Sequence, residues 1–329
     1  MRKISVVVPY FQRERGILAR ALRSALSQQD IGEMDIVVVD DASPVSARSE
    51  VAGLPVDQRA RIRIVEQINA GPAAARNAGL AQVTADTEYV AFLDSDDEWT
   101  PQHLANGLHA LEQGFDFYFT DHFQLNQTVS AFNRAKRIQV EQHPRIGDSG
   151  HLHAYQGDMF DQILRGNIIG TSTVMYRFAK FRDLRFREEF VYAGEDYLFW
   201  LELSKLTSRI AFSSLCECRY GPGVNVFAGS GWGTEKSLRR THYELKYKKA
   251  VARLFSLNDI QLKENRQAVS NLRKHFVADV LHRVMHRKGT DRVLLKHFQV
   301  DPKSFVYFVP LSIGLLAGRA RSAQGVSRV

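Results

Sequence analysis

The chain has 329 residues, of which 44% are hydrophobic and 24% charged; this composition suits a large soluble α/β body with an appendage and excludes a disordered or fibrous chain. No segment reaches the roughly 18 consecutive apolar residues of a membrane-spanning helix, and two cysteines spaced C-x-C, Cys216 and Cys218, provide neither a disulfide framework nor a four-ligand zinc site. Charge is unevenly placed: residues 1–235 carry 24 Lys+Arg against 30 Asp+Glu (net −6), and residues 236–329 carry 20 against 6 (net +14).

Residues 4–8 are a compact β-branched run that ends at Pro9-Tyr10, a strand. It follows Arg2-Lys3 directly and leaves no room for the apolar core of a leader, so a cytoplasmic location is expected. Residues 15–28 place Ile17, Leu18, Ala21, Leu22, Ala25 and Leu26 at helical spacing. Residues 36–39 form a second buried strand ending in Asp40-Asp41. Residues 62–66 form a third, and Pro72 opens the helix that follows and runs to Leu80. Residues 89–93 are the fourth strand. This β-α-β-α-β-α-β order is that of a parallel, doubly wound sheet, which binds ligands at the carboxyl ends of its strands. Pro9-Tyr10-Phe11, Asp40-Asp41 and Asp94-Ser95-Asp96 should therefore meet in one crevice. Further on, the pattern predicts a helix over 101–113, a strand over 115–120, an excursion without period over 124–150 and a helix over 158–164. A strand over 171–176, an aromatic-rich helix over 195–206, a strand over 210–220 and basic helices from 235 to about 296 complete it. The expected division is a catalytic body, 1–225, and a basic helical extension, 226–329.

The strand 89–93 ends in three carboxylates within four residues, Asp94, Asp96 and Asp97. Like charges crowded at a sheet end repel one another and are costly to desolvate, so a cation is expected there. Asp94 and Asp96, two apart, can reach one hard ion such as Mg²⁺ or Mn²⁺, with substrate phosphates completing its shell. The plain alternative is an acidic strand-to-helix loop in which Asp97 or Thr100 caps the helix beginning near Pro101. For Asp40 the plain reading is a turn or cap interaction at Ser43-Pro44.

Five motifs occur in order: V-V-V-P-Y-F (6–11), V-V-V-D-D-A-S (37–43), N-A-G-P-A-A-A-R-N-A-G (69–79), F-L-D-S-D-D-E-W (92–99) and G-E-D-Y-L-F-W (194–200). Over roughly residues 4–225 the chain resembles the family 2 glycosyltransferases. The R-N-A-G block and G-P-G-V-N-V-F (221–227) look most like the glucosyltransferases that extend lipid-linked succinoglycan repeats in bacterial exopolysaccharide synthesis. The resemblance implies an α/β GT-A fold, a doubly wound, mostly parallel sheet with a C-terminal helical extension. It implies inverting transfer from a nucleotide-diphosphate sugar, UDP-glucose or UDP-galactose, with Mn²⁺ or Mg²⁺ held mainly by Asp96. Asp94 would face the ribose and support the metal, with Ser95 beside it on the donor. Asp41 would accept a hydrogen bond from uracil, and Pro9, Tyr10 and Phe11 would line the base pocket. Arg76 would reach diphosphate or uracil oxygens, a surface arginine being the plain alternative. Asp196 occupies the family's general-base position at a helix start, whose N-terminus favours the ionised form. Glu195 is the near rival, but adjacent helical residues point about 100° apart; an N-cap pair is the plain alternative. Tyr220 could stack on an acceptor sugar, and Trp232, in Gly229-Ser230-Gly231-Trp232-Gly233, could close over the donor. Trp200 reads as core.

The basic C-terminal third offers an apolar face of Phe255, Leu272, Phe276, Val280, Leu281 and Val284. Such helices can lie peripherally on the anionic inner face of a membrane. That suits a saccharide acceptor linked to polyprenyl diphosphate, and residues 305–318 could dip into the interface. A helical bundle with solvated lysines is the alternative. Nucleic-acid binding would leave the acidic cluster unexplained, so no nucleic acid is expected. A nucleotidyltransferase would need a Gly-rich basic loop where Pro9-Tyr10-Phe11-Gln12 stands. A non-catalytic sugar-binding protein would not need Asp94, Asp96 and Asp196 together.

Overall fold

A computed structural model describes residues 2–224, 234, 236–289 and 293–313. Its strands are β1 (Lys3–Tyr10), β2 (Glu33–Asp40), β3 (Ile62–Glu66), β4 (Thr87–Phe92), β5 (Glu98–Trp99), β6 (Phe117–Phe123), β7 (Leu152–Ala154), β8 (Met175–Tyr176) and β9 (Ile210–Arg219). The helices are α1 (Ile17–Leu26), α2 (Ala47–Ala52), α3 (Val56–Arg59), α4 (Pro72–Ala81), α5 (His103–Glu112), α6 (Ala131–Ala135), α7 (Met159–Arg165), α8 (Glu195–Leu206), α9 (Ser237–Leu254), α10 (Asp259–Met285) and α11 (Val293–Val300). The strands form one sheet in the order β3-β2-β1-β4-β8-β6-β9-β5, with β7 on β9. β3, β2, β1 and β4 are parallel, with Val6 opposite both Ile36 and Ala91. The near-continuous apolar runs of β1, β2 and β4 are those of strands covered on both faces, whereas β3, at the sheet edge, has no fully buried residue. Beyond β4 the sheet is mixed: β8 is antiparallel to β4 and β6, β9 is parallel to β6, and β5 and β7 are antiparallel to β9.

Three local expectations change. Residues 171–176 are a 3₁₀ turn, Thr171–Thr173, followed by a two-residue strand, because the Ser172 side chain is engaged at the acidic turn. The helix after the acidic turn starts at His103, since Glu98–Trp99 pairs with β9 and holds the chain extended; its N-cap Gln102 makes no side-chain cap. The excursion 124–150 contains α6, capped by Ser130, and a 3₁₀ turn at Val140–Gln142.

One face of the parallel strands packs on Leu18, Ala21, Leu22 and Ala25 of α1. On the other, α4 sits so close that a Cβ on Gly79 would overlap Val7. Farther along, α8 is held by aromatic rings: Phe117 stacks on Trp200 at 5.7 Å, and Phe186 stacks on Phe199 at 4.1 Å. Trp200 is fully buried core, as its setting in an apolar helix implied. This packing fixes the helix whose first turn carries Glu195 and Asp196.

The chain forms two compact units, Met1–Val191 with Glu195–Asn225, and Tyr192–Gly194 with Val226–Val329. In the second, Leu238, Phe276, Val280 and Val293 make a small core, and the His297 ring lies 3.4 Å from that of Phe276. Asp301 is gripped by Arg273 and Lys249, which hold its carboxyl far below the usual range despite burial. No helix among the described residues is long and apolar enough to cross a membrane.

Candidate active site

The end of β4 turns sharply. The Asp97 N–H donates to the Asp94 carbonyl at 3.0 Å, and the Asp94 N–H donates to Ser172 Oγ at 2.9 Å. Ser172 Oγ in turn donates to Asp97 Oδ2 at 2.6 Å, while the Gly221 N–H donates to Asp97 Oδ1 at 3.1 Å. Asp97 therefore caps no helix; its buried carboxyl joins the acidic turn to the loop leaving β9. Burial, with Asp94 and Asp96 beside it, raises its pKa well above the carboxylate range.

Asp94 and Asp96 are less buried than Asp97. Gly223 lies so close to the Asp96 carboxylate that a Cβ on it would overlap that group. Glycine here is required by close approach of two loops. Burial first, and then the charge of Asp94, push Asp96 up to about 6. Arg20 donates to the Asp96 carbonyl at 3.2 Å, not to the carboxylate.

Arg76 is only 4% exposed, so it is no surface arginine. Its Nη2 donates to Asp94 Oδ1 at 2.7 Å, its Nη1 meets Glu195 Oε1 at 3.4 Å, and its guanidinium lies 5.3 Å from the centre of the Phe186 ring. Burial opposes its charge, yet Asp94 and Glu195 hold its pKa above the ordinary arginine value. Arg76 thus ties the end of β4 to the start of α8. Replacing it with Met strands Asp94 and Glu195 in the crevice. The expected cost is about 3–5 kcal/mol of stability, as for removal of one partner of a buried ion pair, and urea unfolding measures it.

Glu195 is buried, and burial raises its pKa while Arg76 pulls it back down. Asp196 is half-buried, accepts from the Tyr197 N–H at 2.8 Å, and has its pKa raised to about 8, by burial first and Glu195 second. The expectation that the helix N-terminus keeps Asp196 ionised is thereby corrected. Desolvation and an adjacent carboxylate outweigh a helix-end effect of about 0.3–1 kcal/mol.

The ends of β1 and β2 form the other wall. Pro9 is buried opposite Val39 and Tyr10 opposite Asp40; the Tyr10 ring lies in the apolar core and Phe11 is half-buried. Asp40 binds the N–H groups of Ser43 and Ala47, the turn-and-cap role its position suggested. Asp41 accepts from Gln67 Nε2 (2.7 Å), the Ala70 N–H (2.8 Å) and the Gly71 N–H (2.9 Å), so its carboxylate holds the loop that leads into α4. Sequence reasoning missed Gln12. It is buried, donates through Nε2 to Ser95 Oγ at 3.1 Å and accepts the Val224 N–H on Oε1 at 3.2 Å, linking β1, the acidic turn and the β9 exit. Ser172 was missed too; both are neutral residues with no charge or motif to mark them. Tyr220 stacks on His122 at 4.7 Å beside the β9 exit. Trp232 lies outside the described residues.

The site thus joins the carboxylates of Asp94 and Asp96 to a buried Arg76–Glu195 pair and to Asp196. Among the described residues no three His, Cys, Asp or Glu side chains form a metal cage. Arg76 occupies Asp94 Oδ1; the second oxygen of Asp94 and the Asp96 carboxylate are hard donors that fit a Mg²⁺ or Mn²⁺ drawing its other ligands from a bound diphosphate.

Residues 5–184 match the profile of Glycosyl transferase family 2. The chain is 33% identical over 235 residues to the succinoglycan biosynthesis protein ExoW of Rhizobium meliloti, covering 69% of this chain and 71% of that protein. It is 27% identical over 207 residues to the GalNAc(5)-diNAcBac-PP-undecaprenol beta-1,3-glucosyltransferase of Campylobacter jejuni, covering 62% of this chain and 60% of that one. Among solved structures, S. aureus TarS 1-349 in complex with UDP aligns with a TM-score of 0.54 at 21% identity, over 96% of this chain and 92% of that one, a likeness of fold.

Proposed function

The chain belongs to glycosyl transferase family 2 and is a glycosyltransferase of GT-A fold, and we propose that it transfers a hexose from a UDP-sugar, UDP-glucose or UDP-galactose, with inversion. The acceptor we propose is a saccharide on polyprenyl diphosphate in bacterial exopolysaccharide synthesis. Supporting this reading, the Rhizobium relative is named for succinoglycan biosynthesis, the Campylobacter relative for an undecaprenol-linked substrate, and the TarS complex contains UDP. The observation that carries it is the meeting of the Asp94–Asp96 turn with Arg76, Glu195 and Asp196 at the carboxyl ends of the strands.

In this reading the acceptor hydroxyl attacks the anomeric carbon. The new C–O bond forms as the bond to the diphosphate breaks, and Asp196 takes the hydroxyl proton. Asp96, supported by Asp94, would hold Mn²⁺ or Mg²⁺. When bound, such an ion supplies neutralisation of the charge that builds on the leaving diphosphate. Arg76 keeps Glu195 turned away from the acceptor and aligns β4 with α8. Asp41 fixes the loop that faces the nucleobase and would accept from the uracil ring on the lone pair of Oδ2 that the Gly71 N–H leaves open; Pro9, Phe11 and Ser95 complete that wall. Residues 226–329 form the basic extension, which we place in peripheral contact with the anionic inner face of the membrane.

Nucleotide release is the direct test, from a panel of UDP-, GDP- and dTDP-sugars in Mn²⁺, Mg²⁺ or EDTA, with thermal shift in the same samples. The expected outcome is release of UDP from one UDP-hexose, abolished by EDTA. If no nucleotide stabilises the protein even with Mn²⁺, the donor site is wrongly assigned.

A further inference from the structure

The apolar face of α10 does not remain available to lipid. Phe276 and Val280 are buried, Leu272 and Leu281 are half-buried, and of the residues expected on that face only Val284 is exposed among α10 side chains. A different surface carries exposed apolar groups. Leu295 on α11 is 75% exposed; Phe305, Val306, Val309 and Ile313, on the turn Pro302–Tyr307 and the helical residues 308–313, are 56%, 73%, 67% and 61% exposed. Positions 309 and 313 are four residues apart in the helical stretch and share one face of it. The stripe is anchored from behind: Phe305 stacks on Phe298 at 3.7 Å, and Phe298 meets Phe276 of the small core edge-on. Scattered single apolar side chains are ordinary on a protein surface, but five within nineteen residues need a cover.

Charge decides which cover fits. The stripe belongs to the segment with net +14, and Lys296 and Lys303 stand exposed within it. Apolar side chains rimmed by lysines match a surface with acyl chains below and anionic headgroups above. We propose that Leu295, Phe305, Val306, Val309 and Ile313 form the face by which this protein rests on an anionic lipid bilayer. The inference rests on the membrane contact proposed above and assigns it to this stripe instead of the basic helices α9 and α10.

The test is co-flotation of the full chain with phosphatidylcholine vesicles containing roughly 30% phosphatidylglycerol, and with vesicles of phosphatidylcholine alone. Wild type is compared with the double variant Val306→Asp/Val309→Asp and, should that variant fold poorly, with Leu295→Ser. Light scattering without vesicles and UDP-induced thermal shift are run alongside. The expected result is flotation of wild type with anionic vesicles only, reduced at least tenfold in the variant, with an unchanged thermal shift. Equal flotation of variant and wild type overturns the stripe while leaving membrane contact standing. No flotation of wild type overturns the membrane contact itself. A wild-type dimer that the variant converts to monomer makes the stripe a self-association face and overturns the lipid assignment.

Discussion

Asp196→Asn is expected to reduce sugar transfer by on the order of 10³-fold, the scale of a lost general base, while metal-dependent UDP-sugar binding is retained. The substitution keeps shape and the bond from the Tyr197 N–H but removes the capacity to take a proton. The split matters because Asp196 lies among the charges of Glu195, Arg76 and Asp94, where a structural lesion would weaken donor binding as well. Stability supplies a second readout. In the folded protein the Asp196 carboxyl is raised to about 8, above its unfolded value, so it binds a proton that the unfolded chain has already released. Its contribution therefore falls as pH rises from the ordinary carboxylate range to about 8. The Asn variant has no charge to desolvate and should be at least as stable as wild type at pH 8. Since only the carboxylate accepts a proton, wild-type kcat/KM should rise with pH, with its ascending limb near 8. Equal loss of transfer and of UDP binding would remove Asp196 from the base role.

The parallel half of the fold was legible because its central strands carry short apolar runs closed by polar clusters, as in Val6-Val7-Val8-Pro9 and Ile36-Val37-Val38-Val39-Asp40. The far half was less so. β5 and β8 are two residues each, and they pair only because β9, β4 and β6 come beside them, which local pattern does not record. The same distinction runs through the site. Asp94 and Asp96 stand at the strand end that the pattern marked, and the helical residues Arg76 and Glu195, named from the motifs, meet Asp94 there. Gln12 and Ser172 did not stand out, since their roles arise from hydrogen bonds across 83 and 75 residues of chain. The protonation of Asp196 was misread for a related reason. A helix start is visible in sequence, whereas burial beside Glu195 is a property of the packed site.

Asp96→Ala is the substitution with the largest expected effect on the donor. It removes the carboxylate assigned to the cation and leaves Asp94 already engaged by Arg76 at 2.7 Å. With the diphosphate charge no longer neutralised, transfer should fall by on the order of 10³-fold or more, about 4 kcal/mol of barrier. Unlike Asp196→Asn, it should also abolish the Mn²⁺-dependent part of UDP binding, measured by calorimetry with and without the metal. The fold should survive, because Asp97, not Asp96, is the side chain that Ser172 and Gly221 hold, and the Arg20 contact goes to the Asp96 backbone carbonyl. Asp97→Ala is the matched control. It loses those two bonds and should lower the melting temperature, as removal of a buried hydrogen-bonded carboxyl does, at about 1–3 kcal/mol per group left unpaired. If Asp96→Ala keeps Mn²⁺-dependent UDP binding while Asp97→Ala loses it without destabilising the protein, the metal belongs to Asp97, and the roles of these neighbours must be exchanged.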